Sequence, residues 1–245
     1  MCGRVIQASP PDELGLRILE SRGERDDREP TRRFANTPPR FNGAPSQELW
    51  VIRRNAGTGE RSLDLLRWGL IPSTSAAKPK KPAINAAAEL LLKREDFAPA
   101  YAARRCIVPI DGFYEWKAVE GETLKQPFAL ALRDGSPFGL AGLWENWRDP
   151  ATGEWVRTFC IVTTRANELI RPIHGRMPAI LRPDDYRCWL SDEPNPRGLL
   201  GPFPAAAMIA WPVSTRVNSV RNDDRALVER HPEADGTWPR DGNSA

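Results

Sequence analysis

Apolar residues in this chain fall in short runs instead of at helical spacing. CGRVIQ (2–7), ELWVIR (48–53), LDLLRWGL (63–70), RCIVPI (105–110), GFYEWK (112–117), PFALAL (127–132), FGLAGLW (138–144), VRTFCIVTT (156–164) and AMIAWPVS (207–214) are each rich in β-branched or aromatic residues. Gly, Pro or charged residues bound them, so each predicts a strand. Helical spacing is rarer. Asp12–Ser21 carries Leu14, Ile18 and Leu19 on one face, and Ala86–Asp96 is rich in Ala, Leu and Lys. Ala166–Ile170 reads as a short turn, and Pro183–Leu190 opens on Pro-Asp-Asp, a helix-start signal. Segments 22–33 and 73–82 read as loops. The pattern predicts an α+β fold: one domain with an antiparallel, β-barrel-like core and peripheral helices. That domain spans residues 1–225, with a poorly packed tail at 226–245.

Composition narrows the class only modestly. The 245 residues suffice for a sizeable core, and 24 prolines favour short elements over long helices. A net charge of +3 is too mild to establish nucleic-acid binding but is compatible with a local basic groove. No apolar stretch is long enough for a membrane helix, and Arg4, Asp12 and Glu13 interrupt any signal-like run. The expected location is cytoplasmic. The four cysteines form no CxxC pair and only two histidines are present, which argues against a structural zinc site. Cys106 and Cys160 lie in apolar, strand-like runs and Cys188 in the helix candidate DDYRCWL, and all three read as buried small hydrophobes.

Cys2 stands apart because of its position. If Met1 is removed, Cys2 presents an amine and a thiol on adjacent carbons. The amine forms a Schiff base with an aldehyde, and the thiol closes a five-membered thiazolidine on the same carbon. A ring-opened abasic deoxyribose supplies such an aldehyde. Taken alone, a cysteine at position two is equally an accident of sequence. Glu115, flanked by Tyr114 and Trp116, is either a desolvated carboxylate suited to acid–base work or a solvent-facing strand residue. His174 sits in PIHGRMPAIL beside Arg176, as a structural histidine or a group that meets phosphate. Asn85 precedes the predicted helix and could simply cap it. Arg4 and Arg176 are each two residues from a candidate catalytic side chain. Trp68 is either a platform for base stacking or a core tryptophan.

The motifs that carry these residues occur in order: MCGR at the start, RFNGAP from Arg40, RWGLIP from Arg67, INAAAE from Ile84, RCIVPIDGFYEWK from Arg105, KQPF from Lys125, AGLW from Ala141, VTTRAN from Val162 and HGRMPAIL from His174. In this ordered set, across residues 1–220, the chain resembles the SRAP (SOS response-associated peptidase) family of abasic-site processing proteins. The resemblance implies a β-barrel-like α+β domain with a positively charged groove for single-stranded DNA. It implies a nucleophile at Cys2, an acid–base carboxylate at Glu115, an active-site histidine at His174 and an asparagine beside the cysteine at Asn85. Thr163 takes the place of the family's threonine. It further implies self-removal of Met1, a covalent link to abasic sites, and no metal or organic cofactor. The expected form is a monomer. One position departs: where the family has an arginine that holds DNA phosphate, this chain has Ala87, and Arg94 is the nearby candidate to compensate. Two other classes share parts of this pattern. An N-terminal-nucleophile amidohydrolase of the glutamine amidotransferase kind also begins Met-Cys-Gly, and a non-catalytic single-strand-binding module would ignore both Cys2 and the lesion.

Overall fold

The computed structural model describes residues 2–10, 13–14, 38–55 and 57–231. Most of the predicted helix at 12–21 and the loop at 22–33 lie outside the described residues. Every apolar run yields a strand: β1 (Val5–Gln7), β3 (Glu48–Arg54), β4 (Arg61–Trp68), β6 (Arg105–Ile110), β7 (Gly112–Lys117), β8 (Gln126–Leu132), β9 (Phe138–Arg148), β10 (Trp155–Arg165) and β12 (Met208–Pro212). Three short strands were not foreseen: β2 (Arg40–Gly43), β5 (Asn85–Ala87) and β11 (Arg176–Pro178). Among the described residues, two complete α-helices accompany the strands, α1 (Ala98–Ala103) and α2 (Tyr186–Leu190), the second continuing a 3-10 turn at Pro183–Asp185.

The helix expected over Ala86–Asp96 does not form. Residues 85–87 are strand, Ala88–Leu90 makes a single 3-10 turn, and regular helix begins only at Ala98. Alanine favours a helix by less than about 1 kcal/mol per residue. An unpaired strand edge costs more, because its backbone N–H and C=O groups need partners. That edge belongs to β10, which pairs with β4 in parallel at Thr158 and Phe159 and then with β5 from Ile161 to Thr163.

The strands form two sheets. One is antiparallel, in the order β12-β8-β7-β1-β2. The other runs β11-β10-β4-β3-β6-β9, and a further β9–β10 pairing closes β4, β3, β6, β9 and β10 into a barrel. A first apolar cluster joins both sheets and includes Val5, Phe113 and Phe128 from one and Leu49, Trp68, Phe159 and Ile161 from the other. A second cluster lies where α1, α2 and the 88–91 turn cover the barrel with Ala100, Tyr101, Trp189 and Leu91. Each such side chain contributes about 1.5–3 kcal/mol on burial.

Polar groups pin the layers together. Buried Gln7 on β1 donates to Trp50 O at 2.9 Å and Pro109 O at 2.7 Å, and accepts from Trp50 N–H at 3.0 Å. These bonds tie the first sheet to two barrel strands at about 0.5–1.5 kcal/mol each. The chain also stays packed beyond residue 225. Arg225–Val228 is a 3-10 turn, Leu227 is buried, and Trp211 Nε1 donates to Val228 O at 2.8 Å. Residues 226–228 therefore pack with the domain instead of belonging to a poorly packed tail, and residues 232–245 lie outside the described residues.

Candidate active site

The antiparallel sheet supplies Cys2 and Glu115. β1 pairs with β7 at Val5–Phe113 and Ile6–Gly112, and Tyr114 N–H donates to Arg4 O at 3.1 Å. This carries the pairing towards the N-terminus and brings Cys2 alongside the Glu115 region. Gly112 is required where β7 begins, since a Cβ there would lie 2.7 Å from Leu130 O on β8. The strand period of two then sorts the side chains of β7. Phe113 packs in the inter-sheet cluster and Tyr114 on the opposite face in a third cluster with Ile6 and Val213. Glu115 follows Phe113, not Tyr114. Its cross-strand neighbour is Phe128 of the inter-sheet cluster, and it is 2% exposed. The carboxylate is thus desolvated, though not by the flanking Tyr114 and Trp116, which alternation sends to the other face.

Cys2 is fully buried in the same cluster. Burial, and secondly the charge of Glu115, push its thiol up well above the ordinary range, opposed first by the charge of the N-terminal ammonium and then by a bond from the Arg4 backbone N–H. The thiol is therefore neutral near pH 7. Its reactivity cannot depend on a standing thiolate.

The barrel supplies the opposing residues. Asn85 opens β5 and donates from Nδ2 to Cys2 O at 2.8 Å, while its buried Oδ1 has no partner among the described residues. It caps no helix. The 3-10 turn that follows has Ala87 at its N-cap, with no side-chain bond. Trp68 proves to be a core residue, 1% exposed, its ring stacked on Phe159 at 6.0 Å. No face is left for a base. Its Nε1 instead donates to Ile84 O at 2.9 Å, which steadies the residue before Asn85.

Thr163 is buried at the centre of a three-strand patch, in register with Ala87 of β5 and Pro178 of β11. Arg176 reaches across it. Nε donates to Thr163 Oγ1 at 3.2 Å and Nη2 to Thr163 O at 2.7 Å. The outer edge of the guanidinium forms a two-pronged pair with Glu89, Nη1–Oε1 at 3.3 Å and Nη2–Oε2 at 3.0 Å. His174 precedes this strand and is half-buried. The Arg176 N–H donates to its Nδ1 at 3.0 Å, leaving the neutral ring's proton on Nε2. Arg176 O also lies 3.2 Å from Nδ1, but the shorter contact defines Nδ1 as the acceptor. Ala87 lies two residues along β5 from Asn85, so both share one face of the strand.

Two expected DNA contacts have other partners. Arg4 donates to Asn42 Oδ1 at 2.8 Å, Val217 O at 2.6 Å and Asn218 O at 3.2 Å, and lies over Trp116. It anchors the N-terminal segment. Arg94 pairs with Asp96 and covers the Phe97 ring, so its contacts are local. Cys106 and Cys160 are buried core residues, and Cys188 is half-buried. Among the described residues no three His, Cys, Asp or Glu side chains cluster to hold a metal, and no helix is long and apolar enough to cross a membrane.

This arrangement sits within a match to SOS response associated peptidase (SRAP) over residues 1–220. The chain belongs to the SRAP family. Among its relatives, abasic site processing protein YoqW of Bacillus subtilis is 41% identical over 200 residues, covering 79% of this chain and 87% of that protein. Abasic site processing protein YedK of Escherichia coli is 30% identical over 94% of this SRAP chain and 99% of its own. A crystal structure of a Bordetella bronchiseptica protein superposes with a TM-score of 0.68 at 28% identity, over 87% of this chain and 100% of that one. A Bacteroides thetaiotaomicron protein shares the fold at a TM-score of 0.77 and 24% identity, over 94% and 100%. One contact of this SRAP site went unread in the sequence. Glu89 stands in the INAAAE motif, but nothing local marks it as the partner of an arginine 87 residues away.

Proposed function

We propose that this protein captures abasic sites in single-stranded DNA by a covalent bond through Cys2, after Met1 is removed by its own hydrolytic activity or by an aminopeptidase. The observation that carries this reading is the meeting of both sheets at Cys2: the buried thiol feels the charge of Glu115 and the residue's carbonyl is held by Asn85. The names of the relatives support the abasic substrate.

Water first cleaves the Met1–Cys2 amide and frees the α-amine. The amine adds to the aldehyde of the ring-opened sugar, giving a carbinolamine. Glu115, with His174 assisting sugar opening, delivers a proton to the departing hydroxyl, water leaves, and the nitrogen's proton returns to Glu115 to give the imine. The Cys2 sulfur then adds to the imine carbon while its proton passes to nitrogen. Aminothiol and aldehyde become thiazolidine and water. A neutral buried thiol suits this order, because the amine acts first and the sulfur needs its proton until the last step. Arg176 holds a phosphate of the strand.

The test is incubation with single-stranded DNA, abasic or intact, followed by a denaturing gel. A covalent shift confined to abasic DNA is expected. Binding without any shift would leave a non-catalytic module, and glutamine hydrolysis without a shift would favour the amidohydrolase class.

A further inference from the structure

The guanidinium assigned above to phosphate already carries an anion in the DNA-free protein. Arg176 has five N–H donors. One is spent on Thr163 Oγ1, one on Thr163 O and two on the carboxylate of Glu89. The first two fix the group to the barrel. The other two form the paired edge that recognises carboxylate and phosphate alike. A phosphate cannot dock there in the same two-pronged way until Glu89 leaves. Glu89 is free to do so: it stands on a single 3-10 turn and is 46% exposed, against 26% for Arg176. The Arg176 bond is also the main reason its carboxyl is held below the ordinary range.

Arg176 and Glu89 cancel each other as a pair, and the charge of Arg165 also reaches Glu89. Ala87, in register with Thr163 between Asn85 and Glu89, adds no cation. We infer that Glu89 is an internal substitute for DNA phosphate: it occupies Arg176 in the free protein, is displaced when a strand binds, and so sets the affinity for DNA irrespective of any lesion. This rests on Arg176 being a phosphate contact. Its consequence is selectivity. Undamaged strands gain only the difference between a phosphate and a carboxylate on Arg176, whereas an abasic strand is held additionally by its bond to Cys2.

The exchange predicts a specific salt signature. In the wild type, a phosphate replaces one anion on Arg176 and the released carboxylate regains a cation, so that contact yields little net counterion release. With glutamine at the position, the full release returns.

The experiment uses the full chain and an intact single-stranded oligonucleotide, followed by fluorescence anisotropy across a salt series. Wild type, Glu89→Gln, Arg176→Gln and the double variant are compared. Glu89→Gln is expected to tighten binding about two- to fivefold, the worth of an exposed ion pair, and to steepen the log–log salt slope by about 0.7. Arg176→Gln should weaken binding, and in its background Glu89→Gln should bring no gain. Weaker or unchanged binding by Glu89→Gln would overturn the exchange, as would a gain that persists without Arg176. Arg176→Gln without effect would remove the phosphate contact and the exchange with it. Thermal melting checks that each variant is folded, and Glu89→Ala replaces Glu89→Gln if it is not. The same proteins on abasic DNA in a denaturing gel report separately on the covalent reading, which fails only if the wild type gives no adduct.

Discussion

The two sides of the site are built on opposite physical terms. The antiparallel sheet brings Cys2 and Glu115, both buried against an apolar cluster, one of them a thiol kept neutral by its surroundings. The barrel side brings Asn85, Thr163, His174, Arg176 and Glu89, a partly exposed patch in which Arg176 is already paired with Glu89. On the proposed reading the first side would control protonation by excluding water, and the Arg176–Glu89 pair of the second would control grip, while His174 and Asn85 serve the chemistry from the second side. Chemistry at Cys2 and Glu115 and grip at Arg176 should therefore respond separately to substitution.

The largest effect is expected at Cys2. Cys2→Ala, or an N-terminal extension that cannot be removed, should abolish the stable adduct with abasic DNA on a denaturing gel while DNA affinity persists. A full-yield stable adduct from either would show that the buried side does not carry the bond.

Next come Glu115→Gln and His174→Gln, each slowing cross-linking by about 10- to 10⁴-fold, the range for a lost acid–base group. Melting temperature should hardly change. Glu115→Gln should also speed alkylation of Cys2 at alkaline pH, because removing the neighbouring charge lowers the thiol's pKa. Peptide mapping after timed iodoacetamide exposure measures this, and an unchanged rate would separate Glu115 from Cys2. Wild-type cross-linking in both variants would make the two residues structural.

A smaller loss is expected from Asn85→Ala, which deletes the single bond joining the two sides at Cys2 O. Stability should fall by about 0.5–1.5 kcal/mol in denaturant unfolding, with slower cross-linking at saturating DNA. Unchanged stability and rate would mean the sides are registered by packing alone.

The smallest change concerns the barrel side only. Ala87→Arg should tighten single-strand binding and steepen its salt slope by about 0.7, leaving the saturating cross-linking rate as it was. A raised saturating rate at unchanged affinity would place position 87 in the catalytic apparatus.

The sequence was legible where packing and local pattern agree. The runs that became β3, β6, β9 and β10 have β-branched and aromatic residues because both faces or one face of each is buried. The short strands β2, β5 and β11 were not legible, since RFNG, NAA and RMP are too short for alternation to show. Asn85–Ala87 misled most, because alanine reads as helix until the open edge of β10 is known. Motif order singled out Cys2, Asn85, Glu115 and His174, but not their surroundings. Glu115 lies among aromatics in sequence, yet a strand hides a residue from its neighbours and shows it to the strand beside it. Arg4 was read as lying near Cys2, and Trp68 as a stacking platform or a core tryptophan, whereas their partners, Ile84 O, Asn42, Val217 and Asn218, come from other segments.

The short first strand has a mechanical consequence. DNA joined to Cys2 would transmit any tension into the protein at the N-terminal end of β1. That strand lies between β2 and β7, so a pull along its axis loads the bonds on both flanks together instead of peeling them one by one. Arg4 braces the point of entry against three distant groups, and Gln7, at the far end, passes the load to the barrel through Trp50 and Pro109. Residues 2–7 are thus laid out as a tether anchored at both ends.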